Sequence, residues 1–161
     1  MKAATLVKEL KQFPYIFWVG VVLTVIVLLV GIISVFWTPH DITTLNIQEK
    51  LKPPGDNIYF LGTDHFGRDV LSMIMLGART SLLVAFTATL TGILLGVPLG
   101  LLAAIKAGTI LDDIIMRGND LIFAFPALII AILITAILGP SISNAIIAIG
   151  IFNIPVFARI T

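Results

Sequence analysis

The stretch SLLVAFTATLTGILLGVPLGLLAAI, residues 81–105, decides the fold of this chain. It contains no charged side chain. At a rise of about 1.5 Å per residue, a helix over this stretch is roughly 37 Å long and crosses the roughly 30 Å hydrocarbon core of a bilayer. Because lipid offers no hydrogen-bond partners to the backbone, a helix is the expected structure for such a continuous apolar stretch.

The composition of the whole chain agrees with this assignment. Of 161 residues, 58% are hydrophobic and 12% are charged, against about 45–50% and 25% in soluble domains. A chain of this length has too little interior to bury so many apolar side chains. We therefore predict an all-α membrane protein, a polytopic helical bundle surrounded by the lipid bilayer.

Net charge and cysteine content exclude several classes of function. The formal net charge of +1 gives no electrostatic basis for binding nucleic acid. The absence of cysteine excludes disulfides, thiolate catalysis and cysteine-based metal sites. We expect no cofactor and no metal.

Three further stretches predict membrane spans, which makes four in all. Residues 15–37 carry no charge, and residues 120–138 and 142–158 are strongly apolar apart from Asp120. A signal peptide is the alternative for residues 15–37. The stretch is longer than a typical apolar region of about 7–15 residues, and no Ala-x-Ala-like site follows, so an uncleaved anchor is favoured.

Residues 38–80 differ from the spans, because they contain most of the acidic side chains and a Pro-Pro-Gly turn. From about Asp64 we predict a short amphipathic helix, with Asp64 as its N-cap and Arg68 as the ion-pair partner of Asp64. Such a helix suits the membrane surface.

Lysine and arginine counts favour a cytoplasmic N-terminus, since these residues are enriched in cytoplasmic loops. Residues 1–14 are then a cytoplasmic tail and residues 38–80 a periplasmic segment. In this orientation the cytoplasmic side holds Lys2, Lys8, Lys11, Lys106, Arg117 and Arg159.

Small residues recur every fourth position along the second predicted span. The row consists of Ala88, Gly92, Gly96, Gly100 and Ala104. Such a row lets another helix approach backbone to backbone, and Pro98 beside it should bend the span. Both a mobile interface within the bundle and ordinary static packing are consistent with this pattern.

Three charged residues at the start of the third span, Asp113, Arg117 and Asp120, share one helical face. Asp113 precedes Arg117 by four residues, the favoured order for a helical ion pair. They indicate either a capped helix start at the interface or, for Asp120, a partner inside the membrane. Phe125-Pro126 should kink this span.

A hydrolase is the enzymatic alternative, with Asp64, His65 and Asp69 as acid, base and orienting group. Adjacent residues of a helix point away from one another, and no serine or cysteine nucleophile is tied to these side chains. The P-loop, His-Glu-x-x-His and Gly-x-Ser-x-Gly motifs are also absent from the sequence. We therefore expect no enzymatic activity.

Five blocks of sequence, in order between residues 50 and 159, together resemble one known family. The first contains Gly62, Thr63, Asp64, Gly67, Arg68 and Asp69, and the others are Gly77-Ala78-Arg79-Thr80-Ser81-Leu82, Gly96-Val97-Pro98-Leu99-Gly100, Met116-Arg117-xx-Asp120 and Ala124-Phe125-Pro126. They are similar to the C-type permease subunit of bacterial dipeptide, oligopeptide and nickel importers, which are binding-protein-dependent ATP-binding-cassette importers.

The resemblance implies a multi-pass subunit of the bacterial inner membrane with six spans, of which four are present. The implied partners are a homologous second permease subunit, two cytoplasmic ATPase subunits that hydrolyse ATP, and a periplasmic substrate-binding protein. The family's Glu-Ala-Ala-type coupling loop is expected just after Thr161, so the chain resembles the N-terminal part of a permease and is not expected to transport alone. Met73 departs from the family's usual arginine. A free-standing membrane scaffold or regulator is the alternative function.

Overall fold

The computed structural model describes residues 14–161, which form helices and no β-strand. The helices are α1 (Tyr15–Phe36), α2 (Val70–Ile105), α3 (Ile110–Ala124), α4 (Ala127–Leu138) and α5 (Ile142–Ile160), with a 3₁₀ turn at Ile47–Glu49. This architecture confirms the predicted all-α class. The predicted cytoplasmic tail lies outside the described residues except for Pro14.

Three of these helices, α1, α2 and α5, are long and apolar enough to cross a membrane. The pair α3 and α4 meets the same test only when taken together, and the two helices are bent by 81°. The span predicted over residues 120–138, with a kink at Phe125-Pro126, is divided at that point into two helices. Pro126 has no backbone N–H and disfavours the helical conformation of Phe125, and Phe125 is accordingly extended.

The chain forms two compact units, one up to Thr80 and the other from Ser81. In the first unit, α2 begins at Val70, so the predicted helix start near Asp64 is wrong. Asp64 closes a turn instead, with its Oδ1 accepting hydrogen bonds from the N–H groups of Phe66 and Arg68, both at 2.9 Å. A side chain that bonds its own backbone two to four residues ahead competes with helix formation.

In the second unit, α2 and α5 lie side by side and run in the same direction. A Cβ atom placed on Gly92 would meet Asn153, one on Gly96 would meet Ile154 and Phe157, and one on Gly100 would meet Ala158 and Thr161. Residue numbers rise together along both helices. The two helices are therefore parallel.

The parallel arrangement of α2 and α5 determines the path of the chain between them. Since Gly150 lies against Thr91, the start of α5 is level with about residue 83 of α2. At about 1.5 Å per residue the chain returns roughly 33 Å between Ile105 and Ile142, the thickness of a hydrocarbon core. If α2 and α5 both cross the membrane, the bent pair α3–α4 is one broken crossing, because a re-entrant loop would return the chain to the side from which it entered.

Candidate functional site

Residues 62–69, here called the motif loop, pack against residues 46–53 of the first unit. The Thr63 N–H donates to the Lys52 carbonyl at 3.2 Å, and the Leu51 N–H donates to the Asp64 carbonyl at 3.1 Å. The Thr63 hydroxyl donates to the Glu49 carbonyl and accepts from the Lys52 N–H. These hydrogen bonds explain why a threonine stands at this position, since one hydroxyl serves two backbone groups.

The two glycines of the motif loop are required by backbone geometry. Gly62 and Gly67 both have φ of +77°, a region that L side chains rarely adopt. A Cβ atom on Gly62 would lie 2.3 Å from the Lys52 carbonyl oxygen, and one on Gly67 would lie 1.7 Å from that of Asn46. Both positions therefore exclude any side chain.

Asp64 and Arg68 of the motif loop form an ion pair, with Arg68 Nη2 2.7 Å and Nε 2.9 Å from Asp64 Oδ2. Burial raises the pKa of Asp64, but hydrogen bonds from the Arg68 N–H, the Arg68 side chain and the Phe66 N–H outweigh it and lower the pKa to about 2. The sequence predicted this pair, but the pair stabilises a loop and not a helix.

Asp69 connects the motif loop to α2. Its Oδ2 accepts hydrogen bonds from the Ser72 N–H at 3.0 Å and from the Ser72 hydroxyl at 2.5 Å, while its Oδ1 accepts from the Leu71 N–H at 3.3 Å. A side chain that satisfies the free N–H groups of the first turn is a helix N-cap. Asp69, and not Asp64, has this role for α2.

His40, in the loop that follows α1, contacts two residues at the start of α2. Its Nδ1 lies 3.3 Å from Asp69 Oδ2, and its N–H donates to Ser72 Oγ at 2.9 Å. Asp69 and Ser72 are 2% and 0% exposed. The chain after α1 is thereby attached to the start of α2, a long-range contact that no local pattern reveals.

The proposed hydrolase residues do not come together. Asp64 binds Arg68, Asp69 binds Ser72 and His40, and the ring of His65 lies 4.0 Å from that of Phe66. Among residues 14–161, no group of three or more metal-capable side chains converges.

The small-residue row lies on the face of α2 that contacts α5, except at its last position. Ala88, Gly92, Gly96 and Gly100 are buried, whereas Ala104 is exposed and Ala103 is buried instead. Each step of four residues turns about 40° around a helix, so Ala104 lies roughly 160° from Ala88. The prediction of Ala104 as an interface residue is therefore corrected.

Of the predicted charge cluster, only Asp120 is paired in the described residues. Its partner is Arg159 at the end of α5, and the predicted ion pair between Asp113 and Arg117 is not formed. The Arg159 guanidinium also lies over the Phe123 ring, 4.9 Å from its centroid, and that ring makes an edge contact with Phe152. These contacts join α3 to α5, but both charged groups are about half exposed, so their ion pair contributes little stability.

Apart from Glu49 Oε2, which forms an ion pair with Lys52 Nζ, two described polar groups that the sequence did not single out are buried without a hydrogen-bond partner. They are Ser34 Oγ on α1 and Asn119 Nδ2 on α3. Burying a polar group without a partner costs free energy.

Comparison with known proteins gives matches over both units. Residues 96–161 match the family described as the binding-protein-dependent transport system inner membrane component. The chain is similar to the dipeptide transport system permease protein DppC of Alkalihalophilus pseudofirmus, with 40% identity over 88% of this chain and 46% of that protein.

Two other relatives belong to peptide transport systems. The chain is 38% identical to the DppC protein of Haemophilus influenzae, over 89% of this chain and 50% of that protein. It is 39% identical to the glutathione transport system permease protein GsiD of Pectobacterium atrosepticum, over 78% of this chain and 42% of that protein. The chain thus spans about half the length of these relatives. Residues 96–161 therefore match the inner membrane components of binding-protein-dependent transport systems, and the chain as a whole is similar to permease proteins of peptide transport systems.

Proposed function

We propose that this chain is part of a permease subunit of an ATP-binding-cassette importer for peptides or related small solutes, and that it forms part of the translocation path. The observation that carries the proposal is the similarity of 78–89% of the chain to permeases named for dipeptide and glutathione transport. The tightest helix contact, from Gly96 and Gly100 to residues 154–161, falls inside the region matched by the family.

The proposed partners are a homologous second permease subunit, two cytoplasmic ATPase subunits that hydrolyse ATP, and a periplasmic substrate-binding protein. The parallel arrangement of α2 and α5 supports this assembly, because Ile105 and Ile160 then end at the same membrane surface. With a cytoplasmic N-terminus that surface is the cytoplasmic one, where the ATPases bind. The motif loop then lies in the periplasm, on the side of the binding protein.

Co-purification tests the proposed assembly. The full chain carrying an affinity tag is expressed in cells of its source, and the membranes are solubilised in mild detergent. We expect the captured material to contain a second permease and ATPase subunits, identified by mass spectrometry. An unrelated tagged multi-pass protein serves as the control, and recovery of this chain without either partner under conditions that preserve a known importer contradicts the proposal.

Peptide uptake separates the permease from the alternative, a free-standing scaffold or regulator. Deletion of the gene should abolish ATP-dependent accumulation of a labelled dipeptide or tripeptide, and a plasmid copy of the gene should restore it. Unchanged uptake of every peptide and related small solute tested would favour the scaffold.

A further inference from the structure

A cavity of about 580 Å³ lies in the first unit, beside the end of α1. The last turn of α1 contributes Ser34, residues 37–43 of the following loop form one wall, and α2 contributes Ser72 and Arg79. Pockets for small molecules have volumes of about 300–1,000 Å³. The cavity is thus large enough for a small polar group.

The position of the cavity along α1 places it at the level of the lipid head groups. Helix α1 has 22 residues and is therefore about 33 Å long, just enough to cross the hydrocarbon core. Trp37 follows its last residue and is 61% exposed, as is usual for tryptophan at the membrane–water interface. Residues 37–43, which line the cavity, consequently lie where the hydrocarbon ends.

The cavity contains one cation and one anion that do not neutralise each other. Arg79 forms no ion pair with any residue in the range 14–161. Asp41 Oδ1 accepts hydrogen bonds from the Thr43 N–H at 2.8 Å and the Thr43 hydroxyl at 2.7 Å. These bonds lower the pKa of Asp41, so its carboxylate stays ionised at neutral pH.

Ser34, one of the residues around the cavity, carries a buried polar group without a partner. It is 4% exposed, and its Oγ has no hydrogen-bond partner among the described residues. Hydroxyl groups in membrane helices usually bond the carbonyl four residues earlier, as those of Thr24 and Thr80 do here. The Ser34 hydroxyl forms no such bond.

We propose that this cavity binds the head group of a zwitterionic phospholipid that carries a primary amine, with its phosphate at Arg79 and its ammonium group at Asp41. Arg79 and Asp41 do not form an ion pair with each other, so a ligand that carries both a negative and a positive charge can pair with both. Arginine binds phosphate through several N–H groups, and an ammonium group can donate hydrogen bonds to a carboxylate. A free dipeptide carries a similar pair of charges, but the head-group level of the cavity favours the lipid.

Native mass spectrometry of the full chain in detergent tests this proposal. The probes are three short-chain phospholipids with identical acyl chains, bearing an ethanolamine, a choline or a glycerol head group. We expect the ethanolamine lipid to bind most tightly. Arg79→Gln should weaken its binding at least about tenfold, the loss expected for a charge-assisted hydrogen bond, and Arg79→Lys should retain part of it.

Asp41→Asn isolates the amine contact, because the amide oxygen of asparagine can still accept the hydrogen bonds from Thr43. We expect this variant to weaken binding of the ethanolamine lipid and to leave binding of the glycerol lipid unchanged. Lys50→Gln is the matched control, since Lys50 is an exposed cation of the same unit that does not line the cavity. It should bind all three lipids like the parent chain.

Three results would overturn the proposal. The first is equal binding of the ethanolamine lipid by the parent chain and by folded Arg79→Gln. The second is a loss of ethanolamine-lipid binding in Lys50→Gln equal to that in Arg79→Gln, which would indicate a nonspecific charge effect. The third is displacement of the lipid by a free dipeptide, which would make the cavity a site for soluble zwitterions.

Discussion

At the residue scale, Gly62 and Gly67 each combine two constraints that exclude other residues. Their φ angles are positive, and the place of a Cβ atom is occupied by a backbone carbonyl of residues 46–53. Gly55 has a similar φ of +88° but open space around it. The motif loop therefore needs glycine at these two positions because two backbone segments lie in close contact there.

We predict that Gly67→Ala destabilises the motif loop more than Gly55→Ala. Both variants strain the backbone, but only the first places a Cβ atom against a carbonyl, so the difference should be roughly 1–3 kcal/mol, the usual cost of overpacking. Hydrogen exchange of residues 46–70 in detergent measures it. Equal protection in the two variants would show that the contact with Asn46 is not tight.

The ion pair between Asp64 and Arg68 predicts a dependence of loop stability on pH. The pKa of Asp64 falls from its ordinary 3.8 to about 2 in the folded loop, so its contribution is complete above about pH 4 and is lost as the pH falls through 2. Hydrogen exchange at pH 5, 3 and 2, corrected for the intrinsic exchange rate, should show this loss. In Asp64→Asn the protection should depend less on pH. The dependence that remains should come from Asp69, whose pKa is also lowered. A profile for Asp64→Asn identical to that of the parent chain would contradict the assignment, and Asp113→Asn is the control that should leave the profile unchanged.

At the element scale, sequence periodicity predicted the contacting face of α2 but not its full extent. A repeat of four residues drifts around a helix of 3.6 residues per turn, so the row leaves the interface at Ala104 and Ala103 replaces it. The ion pair of Asp64 and Arg68 was also correct, yet its helical setting was not. An i, i+4 spacing indicates two side chains that can meet, but it does not require a helix. Here a turn stabilised by Asp64 brings the side chains of Asp64 and Arg68 together.

We predict that Gly96→Ala destabilises the contact between α2 and α5. The added Cβ atom would lie 2.4 Å from the carbonyl oxygen of Ile154, a backbone atom that cannot rotate away. Gly77→Ala is the matched control on the same helix, because nothing lies within 4 Å of its Cβ position. The thermal midpoint in detergent should fall for Gly96→Ala and stay the same or rise for Gly77→Ala. Equal midpoints would show that the helices separate enough to accept the methyl group.

At the scale of the whole molecule, composition and span length were sufficient to predict a helical, multi-pass membrane protein. The sequence predicted a kink of the third crossing at Pro126. It did not predict the 81° angle or the early start of α3 at Ile110. The contacts of His40 with Asp69 and Ser72, and that of Asp120 with Arg159, were beyond prediction. Each joins residues about 30 or more positions apart, and no local pattern specifies such a pair.

The central claim is that α2 and α5 cross the membrane in the same direction, with α3–α4 as the return crossing. The sequence contains no cysteine, so single substitutions at Asp56, Ala107, Ser141 and Thr161 can be labelled cleanly with a membrane-impermeant thiol reagent. In sealed vesicles of one orientation, we predict that residues 107 and 161 react from one side and residues 56 and 141 from the other. Reaction of residues 107 and 141 from the same side would contradict the account.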